Sequence, residues 1–176
     1  NLSNGQMLVS SDKGVSFSVA GNPGGTTTPW EQTYIRTVPG SEGHVWVPLI
    51  GNGLKYSTDH GATYTTVSNV TYCSAVGIGK ADVSAAYPTV FIWGTVGAVR
   101  GLFRSTDKGV TWTRINDNAR QFGGTTLIFG DLNVFGRVYM TSVLGRGLTY
   151  WEEALITGVV NLNQNSGKKL LLNACR

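Results

Sequence analysis

One motif recurs in this chain at a nearly fixed period, and it limits what the chain can fold into. Ser10-Ser11-Asp12-Lys13-Gly14-Val15-Ser16-Phe17, Ser57-Thr58-Asp59-His60-Gly61-Ala62-Thr63-Tyr64 and Ser105-Thr106-Asp107-Lys108-Gly109-Val110-Thr111-Trp112 share the pattern Ser-x-Asp-x-Gly-x-Ser/Thr-aromatic. Their aspartates lie 47 and 48 residues apart, too far for one hairpin and right for one four-stranded propeller blade. Each copy follows an apolar or aromatic run (Met7-Leu8-Val9, Gly53-Leu54-Lys55-Tyr56, Gly101-Leu102-Phe103-Arg104), so it sits where a hairpin turns. Asp accepts hydrogen bonds from backbone N–H groups ahead of it, and Gly supplies the positive φ of the turn. The closing aromatic folds back onto the apolar strand. The result is a self-contained β-turn brace.

Composition agrees with an all-β chain. Among 176 residues there are 24 glycines and only 14% charged side chains, and no long stretch has helical periodicity. Dividing the length by the period gives roughly three and a half four-stranded antiparallel blades, whereas closed propellers carry four to eight. The expected architecture is a partial propeller or one completed by oligomerisation, since an open array exposes strand edges and apolar blade faces. Self-association or union with the remaining blades is the expected partnership. The formal charge of +4 comes from 14 scattered Lys and Arg, with only Lys168 and Lys169 adjacent, which argues against nucleic acid as a partner. No apolar run is long enough to cross a membrane as a helix, and no membrane partner is expected. The spacing of Cys73 and Cys175 matches no metal motif and leaves one disulfide or two free thiols open; no metal or cofactor is expected. Asn1-Leu2-Ser3 and Asn69-Val70-Thr71 are glycosylation-type triplets, and a start at Asn1 without Met reads as a processed or excised chain.

In chain order, the blades occupy 1–150 and a tail of uncertain structure occupies 151–176. Gly21 to Trp30 is a Gly-, Pro- and Thr-rich loop in which Trp30 either stacks on a sugar or plugs a gap between blades. Tyr34 to Val38 and Gly43 to Leu49 read as strands, with His44 solvated or bonded in a turn. Val70 to Gly79 and Thr89 to Gly94 are the next inner strands, and Asn116 to Gly124 is a polar loop. Arg137 to Thr141 is a strand, and Gly145 to Tyr150 is expected to open a further blade. Beyond Tyr150 the blade vocabulary stops.

The repeated motif resembles the Asp-box (BNR-type repeat) of sialidases, sortilin-type receptors, photosystem assembly factors and several glycosidases, where it lies on the outer rim, and the resemblance implies that Asp12, Asp59 and Asp107 are structural rather than catalytic. The runs Val38 to Trp46, Gly94 to Ser105, Trp112 to Asp117, Gly130-Asp131, Val134 to Tyr139 and Gly145-Arg146-Gly147 further resemble the C-terminal part of family 74 glycoside hydrolases, continuously from about Asn1 to Tyr150. That family comprises xyloglucan-specific endoglucanases and reducing-end oligoxyloglucan hydrolases. The resemblance implies two seven-bladed propellers in the whole enzyme, with xyloglucan in the cleft between them. It also implies an inverting mechanism by two aspartates spaced to admit a water. Neither catalytic context is present in this chain: Gly130-Asp131-Leu132 is the nearest lookalike, but its neighbours match a different segment. No catalytic residue is assigned.

The resulting expectation is a C-terminal propeller portion of a secreted xyloglucan-degrading hydrolase that binds β-glucan without the catalytic pair. The candidate sugar contacts are Trp30, Trp93 and Phe122 for stacking, with Asn116, Asp117, Arg120 and Gln121 for hydrogen bonding. The alternative is a non-catalytic, lectin-like propeller module that oligomerises. A sialidase is disfavoured, because its arginine cluster and paired Tyr and Glu cannot be assembled from these motifs.

Overall fold

The structure is a computed structural model and describes residues 5–25, 33–121, 123–143 and 147–152. Among the described residues thirteen strands form antiparallel sheets in which every neighbour in space is a neighbour in sequence. β1 (Met7–Val9) and β2 (Ser18–Gly21) form a two-stranded sheet. β3 (Arg36–Thr37), β4 (Val45–Pro48), β5 (Leu54–Ser57) and β6 (Thr65–Thr66) make a four-stranded one. A second four-stranded sheet contains β7 (Val70–Gly79), β8 (Thr89–Val96), β9 (Val99–Ser105) and β10 (Thr113–Arg114). β11 (Ile128–Gly130), β12 (Val138–Thr141) and β13 (Leu148–Trp151) form a three-stranded sheet. Two complete blades are thus flanked by two partial ones, as the repeat period implies.

The motifs fix how the sheets line up. In each copy the residue before the motif Ser pairs with the residue eight positions after that Ser: Val9 with Ser18, Tyr56 with Thr65, Arg104 with Thr113. The motif therefore always joins a blade's third and fourth strands, which makes β1 and β2 the counterparts of β5 and β6 and of β9 and β10.

β8 reads Thr-Val-Phe-Ile-Trp-Gly-Thr-Val and is buried on both faces, because a sheet lies on either side of it. Its side chains alternate as a strand demands. Val90 and Ile92 join Trp46, Leu54, Val76 and Phe103 in one core, while Phe91 and Trp93 join Leu102, Ile115, Ile128, Val138, Met140 and Trp151 in the other. The inner strands β7 and β11 run so close that a Cβ on Gly130 would lie 2.5 Å from the Gly79 Cα. Only glycine fits at such an approach. Arg36 on β3 spans this junction: its Nε donates to the Val76 carbonyl (3.2 Å) and Nη2 to that of Ile128 (3.4 Å).

Two expectations are corrected here. Leu148–Trp151 pairs with β12, so this segment is the third strand of the last sheet and opens no further blade. It is an apolar strand that finishes a meander, and Trp151, 6% exposed, belongs to the core rather than to a tail. The strand Ile128–Gly130 was not anticipated, because its three residues are too short to carry a period. Residues 153–176, including Cys175, lie outside the described residues. Cys73 is fully buried, and burial pushes its thiol pKa up.

Candidate functional site

The three motifs have the same hydrogen bonds. In the second, the Ser57 hydroxyl donates to Asp59 Oδ1 (2.7 Å) and accepts from the Gly61 amide (2.9 Å). Asp59 also accepts from the Thr63 amide (2.9 Å) and hydroxyl (2.6 Å). Those bonds from Thr63, and then that from Ser57, hold its pKa down to about 2. Ser16 and Ser10 hold Asp12 well below the usual carboxylate range in the same way. At Asp107 burial pushes the pKa up, but the bonds from Thr111 and Ser105 outweigh it and the net shift is downward. The turn takes two successive positive-φ residues, Lys13, His60 or Lys108 (φ 61°, 60°, 58°) followed by Gly14, Gly61 or Gly109 (φ 90°, 87°, 85°). The sequence marked the glycine but not the residue before it.

The motifs also connect blades. A Cβ on Gly109 would lie 3.2 Å from the Trp46 indole, and Asn69 Nδ2 donates to the Val110 carbonyl (3.1 Å), so the third motif rests on the second sheet. The Lys108 ammonium lies 4.7 Å from the Tyr56 ring centre and 5.3 Å from that of Tyr87. The second motif rests likewise on β1 and β2, with Gly61 against Met7 and Ala20.

The polar loop 116–121 lies at the other end of β9 from the third motif. Asn116 Oδ1 accepts from the Leu102 amide (2.8 Å), and its Nδ2 donates to the Arg120 carbonyl (2.9 Å). Asp117 caps the Arg120 amide (2.9 Å) and forms an ion pair with the Arg120 guanidinium. Gln121 Nε2 (3.3 Å) and Arg114 Nη2 (3.2 Å) both donate to the Arg100 carbonyl, and Arg114 Nη2 also reaches Asn118 Oδ1 (2.8 Å). The Arg100 guanidinium covers the Tyr72 ring at 4.3 Å. The result is a braced surface rich in planar polar groups, connected to the Tyr72 ring through Arg100.

The expected sugar contacts divide accordingly. Asp117, Arg120 and Gln121 come together at this surface. Asn116 is 8% exposed with both ends of its amide engaged, so it shapes the loop from beneath. Trp93 is 2% exposed in the core beside Leu102 and Ile128, with no ring face open for stacking. It lies in a run buried on both sides, and that burial removes it from the candidates. Trp30 and Phe122 lie outside the described residues. Tyr72, Arg100, Arg114 and Asn118 complete the surface and were not identified from sequence. Only β-sheet pairing brings Tyr72, Arg100 and Arg114 toward the loop, in which Asn118 itself lies.

A second opening, a groove of about 590 Å³, runs between β1 and β3 and carries His44, His60 and Glu42 on its walls. His44 Nδ1 lies 3.3 Å from the Tyr87 hydroxyl, half-buried rather than solvated, and burial lowers its pKa with help from Lys108. Trp46 Nε1 donates to the same hydroxyl (3.1 Å).

Five described carboxylates have shifted pKa values. A general acid at neutral pH needs a raised pKa. Every described Asp or Glu whose pKa is shifted moves down: Asp12, Asp59, Asp82, Asp107 and Asp131. Asp131 accepts from the Asn133 and Val134 amides (2.8 and 3.0 Å) and faces Arg137, which Glu152 grips with both oxygens (2.9 and 3.0 Å). Among the described residues no group of three His, Cys, Asp or Glu could hold a metal.

No family profile matches the chain. Over 152 residues it is 42% identical to the xyloglucanase Xgh74A of Acetivibrio thermocellus, which covers 86% of this chain and 18% of that protein. The GH74 enzyme of Niastella koreensis superposes with a TM-score of 0.75 at 58% identity, covering 82% of this chain and 21% of that one. The GH74 xyloglucanase of Xanthomonas campestris superposes with a TM-score of 0.77 at 35% identity, covering 87% and 22%. The chain spans about a fifth of the length of these relatives.

Proposed function

From the premise that this chain matches family 74 glycoside hydrolases in sequence and in propeller fold, over most of its own length and about a fifth of theirs, we propose that it supplies xyloglucan-contacting blades to a secreted hydrolase and does not itself carry the catalytic pair. The observation that carries this reading is the similarity to xyloglucanases on both counts. The loop surface gives it a physical location. Arg120, Asp117, Gln121, Asn118 and Arg114 offer donors and acceptors in fixed planes, and Tyr72 offers a ring, the combination that sugar sites use.

The test is calorimetric titration of the chain with a xyloglucan oligosaccharide and an unbranched glucan of equal backbone length, alongside a reducing-sugar assay. The expected result is saturable binding that prefers the branched ligand and no release of reducing ends. Arg120→Ala is expected to weaken binding about tenfold, near 1.4 kcal/mol. Turnover by the pure chain would overturn the absence of the catalytic pair, and equal affinity for both ligands would remove the claim to xyloglucan.

A further inference from the structure

We propose that the joint between the β3–β6 sheet and the β7–β10 sheet is an acid-sensitive latch, in which uptake of a proton by His44 releases the loop between β7 and β8. This goes beyond the carbohydrate reading and does not depend on it. Both sheets supply side chains to the joint. His44 and Trp46 stand at the start of β4, whereas Tyr87 ends the loop 80–88 and Lys108 comes from the third motif. The backbone of His44 is fixed in the turn before β4: its amide donates to the Ser41 carbonyl (3.2 Å) and its carbonyl accepts from the Val38 amide (3.1 Å). The imidazole is thereby held against Tyr87, with ring centres 5.7 Å apart.

The donors and acceptors of this cluster fix its protonation state. An indole N–H can only donate, and that of Trp46 donates to the Tyr87 oxygen (3.1 Å). Tyr87 keeps its own hydrogen at neutral pH, because burial pushes its pKa up. Among the described residues the remaining partner of that hydroxyl is His44 Nδ1, at 3.3 Å. Nδ1 therefore accepts, so His44 is neutral and carries its hydrogen on Nε2. A proton arriving at Nδ1 sets two donors on one Tyr87 oxygen and leaves the Tyr87 hydrogen with no acceptor among the described residues. Tyr87 is the side chain by which the loop 80–88 hydrogen-bonds to the β3–β6 sheet, so the loop loses its hold when that pair fails.

The surroundings oppose the cation that would form. The Lys108 ammonium lies 5.3 Å from the Tyr87 ring centre and 4.7 Å from that of Tyr56 on β5. Burial first, and then Lys108, lower the pKa of His44. The other titratable groups on the same groove wall are Glu42, from the turn that carries His44, and His60, from the second motif. Among the described residues His44 has no ion pair, so no carboxylate offsets an imidazolium there. The folded pKa lies below the ordinary 6.5, so the contribution of the latch is complete above that pH and is lost as pH falls through the lower folded value.

The test is NMR of the 176-residue chain from about pH 7.5 to about pH 5, the range in which imidazole titrates. It reads the His44 ring nitrogens together with exchange protection at the Trp46 indole N–H and at the Ala85 amide, which donates to the Asp82 carbonyl (3.0 Å). The expected result is an Nε2–H imidazole at the upper pH and a His44 midpoint below 6.5. Protection at both reporters should fall at least about tenfold through that midpoint while β12 keeps its own, which also certifies that the chain stays folded. His44→Gln should make the protection independent of pH. Tyr87→Phe, which keeps the ring and removes the hydroxyl, should do the same and raise the His44 midpoint. An Nδ1–H imidazole at the upper pH would overturn the proposal, as would protection that does not follow the His44 midpoint. An undiminished acid response in His44→Gln would assign the response to another group, His60 first, and overturn it as well.

Discussion

The first and third motifs are nearly superposable hairpins in unlike surroundings. The motif Ser donates to Asp at 2.7 Å in both, and the residue four after Asp donates its amide to the carboxylate at 2.9 Å in both. Yet Ser105 is 2% exposed with Gly109 buried against Trp46, and Trp112 packs on the core, whereas Phe17 is 62% exposed and Ser10 only half-buried. The difference is the preceding sheet. Eight residues are enough to write the turn, because every bond in it is local. Burial is added by the blade on which the turn rests, and the first motif has no such blade among the described residues.

The sharpest way to break this comparison is to remove the supporting surface. Trp46 is fully buried, stacks on Tyr56 with ring centres 4.9 Å apart, and underlies the third motif. Trp46→Ala should cost about 3–5 kcal/mol in denaturant unfolding, the range for a large aromatic lost from a core. Phe17→Ala, at the unsupported motif, should stay within about 0.5 kcal/mol. Equal losses would mean that the first motif is packed as well as the third. Next in size is Gly130→Ala, whose methyl would meet the Gly79 backbone at 2.5 Å, where no flexible side chain can yield. Forcing the inner strands apart should cost about 1–3 kcal/mol by thermal or denaturant melting.

These magnitudes follow the division between what was and was not legible in the chain. The period, the hairpins and the long strands, read as 70–79 and 89–94 and found at 70–79 and 89–96, could be read from sequence because their signals are local: motif spacing, apolar runs and turn residues. Ile128–Gly130 could not, since three residues carry no period, and the role of 148–151 depended on a pairing with β12 that its composition does not encode. The candidate site shows the same split. Asp117, Arg120 and Gln121 adjoin in sequence and in space. Tyr72, Arg100 and Arg114 approach them only through sheet pairing, and Trp93, which sequence leaves open between sugar stacking and blade core, is core because burial on both faces is a tertiary fact.

A smaller effect separates the motif aspartates. Asp107→Ala removes the acceptor of bonds from the Ser105 hydroxyl and from the Thr111 amide and hydroxyl in a turn that rests on the second sheet. Allowing for solvent competition at this rim, the loss should be roughly 1–2 kcal/mol by denaturant titration. Asp12→Ala removes the same bonds from a turn that itself rests on no sheet among the described residues. It should leave the unfolding midpoint in place while exchange at Gly14 and Ser16 speeds up. A shifted midpoint for Asp12→Ala would show that the first motif is coupled to the fold.

The smallest effect is the most local, the pH response of Asp59. Its carboxyl is held down to about 2 from an ordinary 3.8 by the Thr63 hydroxyl and amide and by Ser57, all of which bond the ionised form. Its folded pKa lies below its unfolded one, so its contribution is complete above about pH 4 and is lost as pH falls toward 2. A carboxyl carbon signal followed by NMR should therefore remain that of an ionised group at pH 3, where a free aspartate is mostly protonated. In Thr63→Val, which keeps the amide but loses the hydroxyl, the midpoint should move up toward the ordinary value. An unchanged midpoint would mean that the amide alone holds the carboxylate, and the hydroxyl shared by the second and third motifs would then have no electrostatic part in the turn.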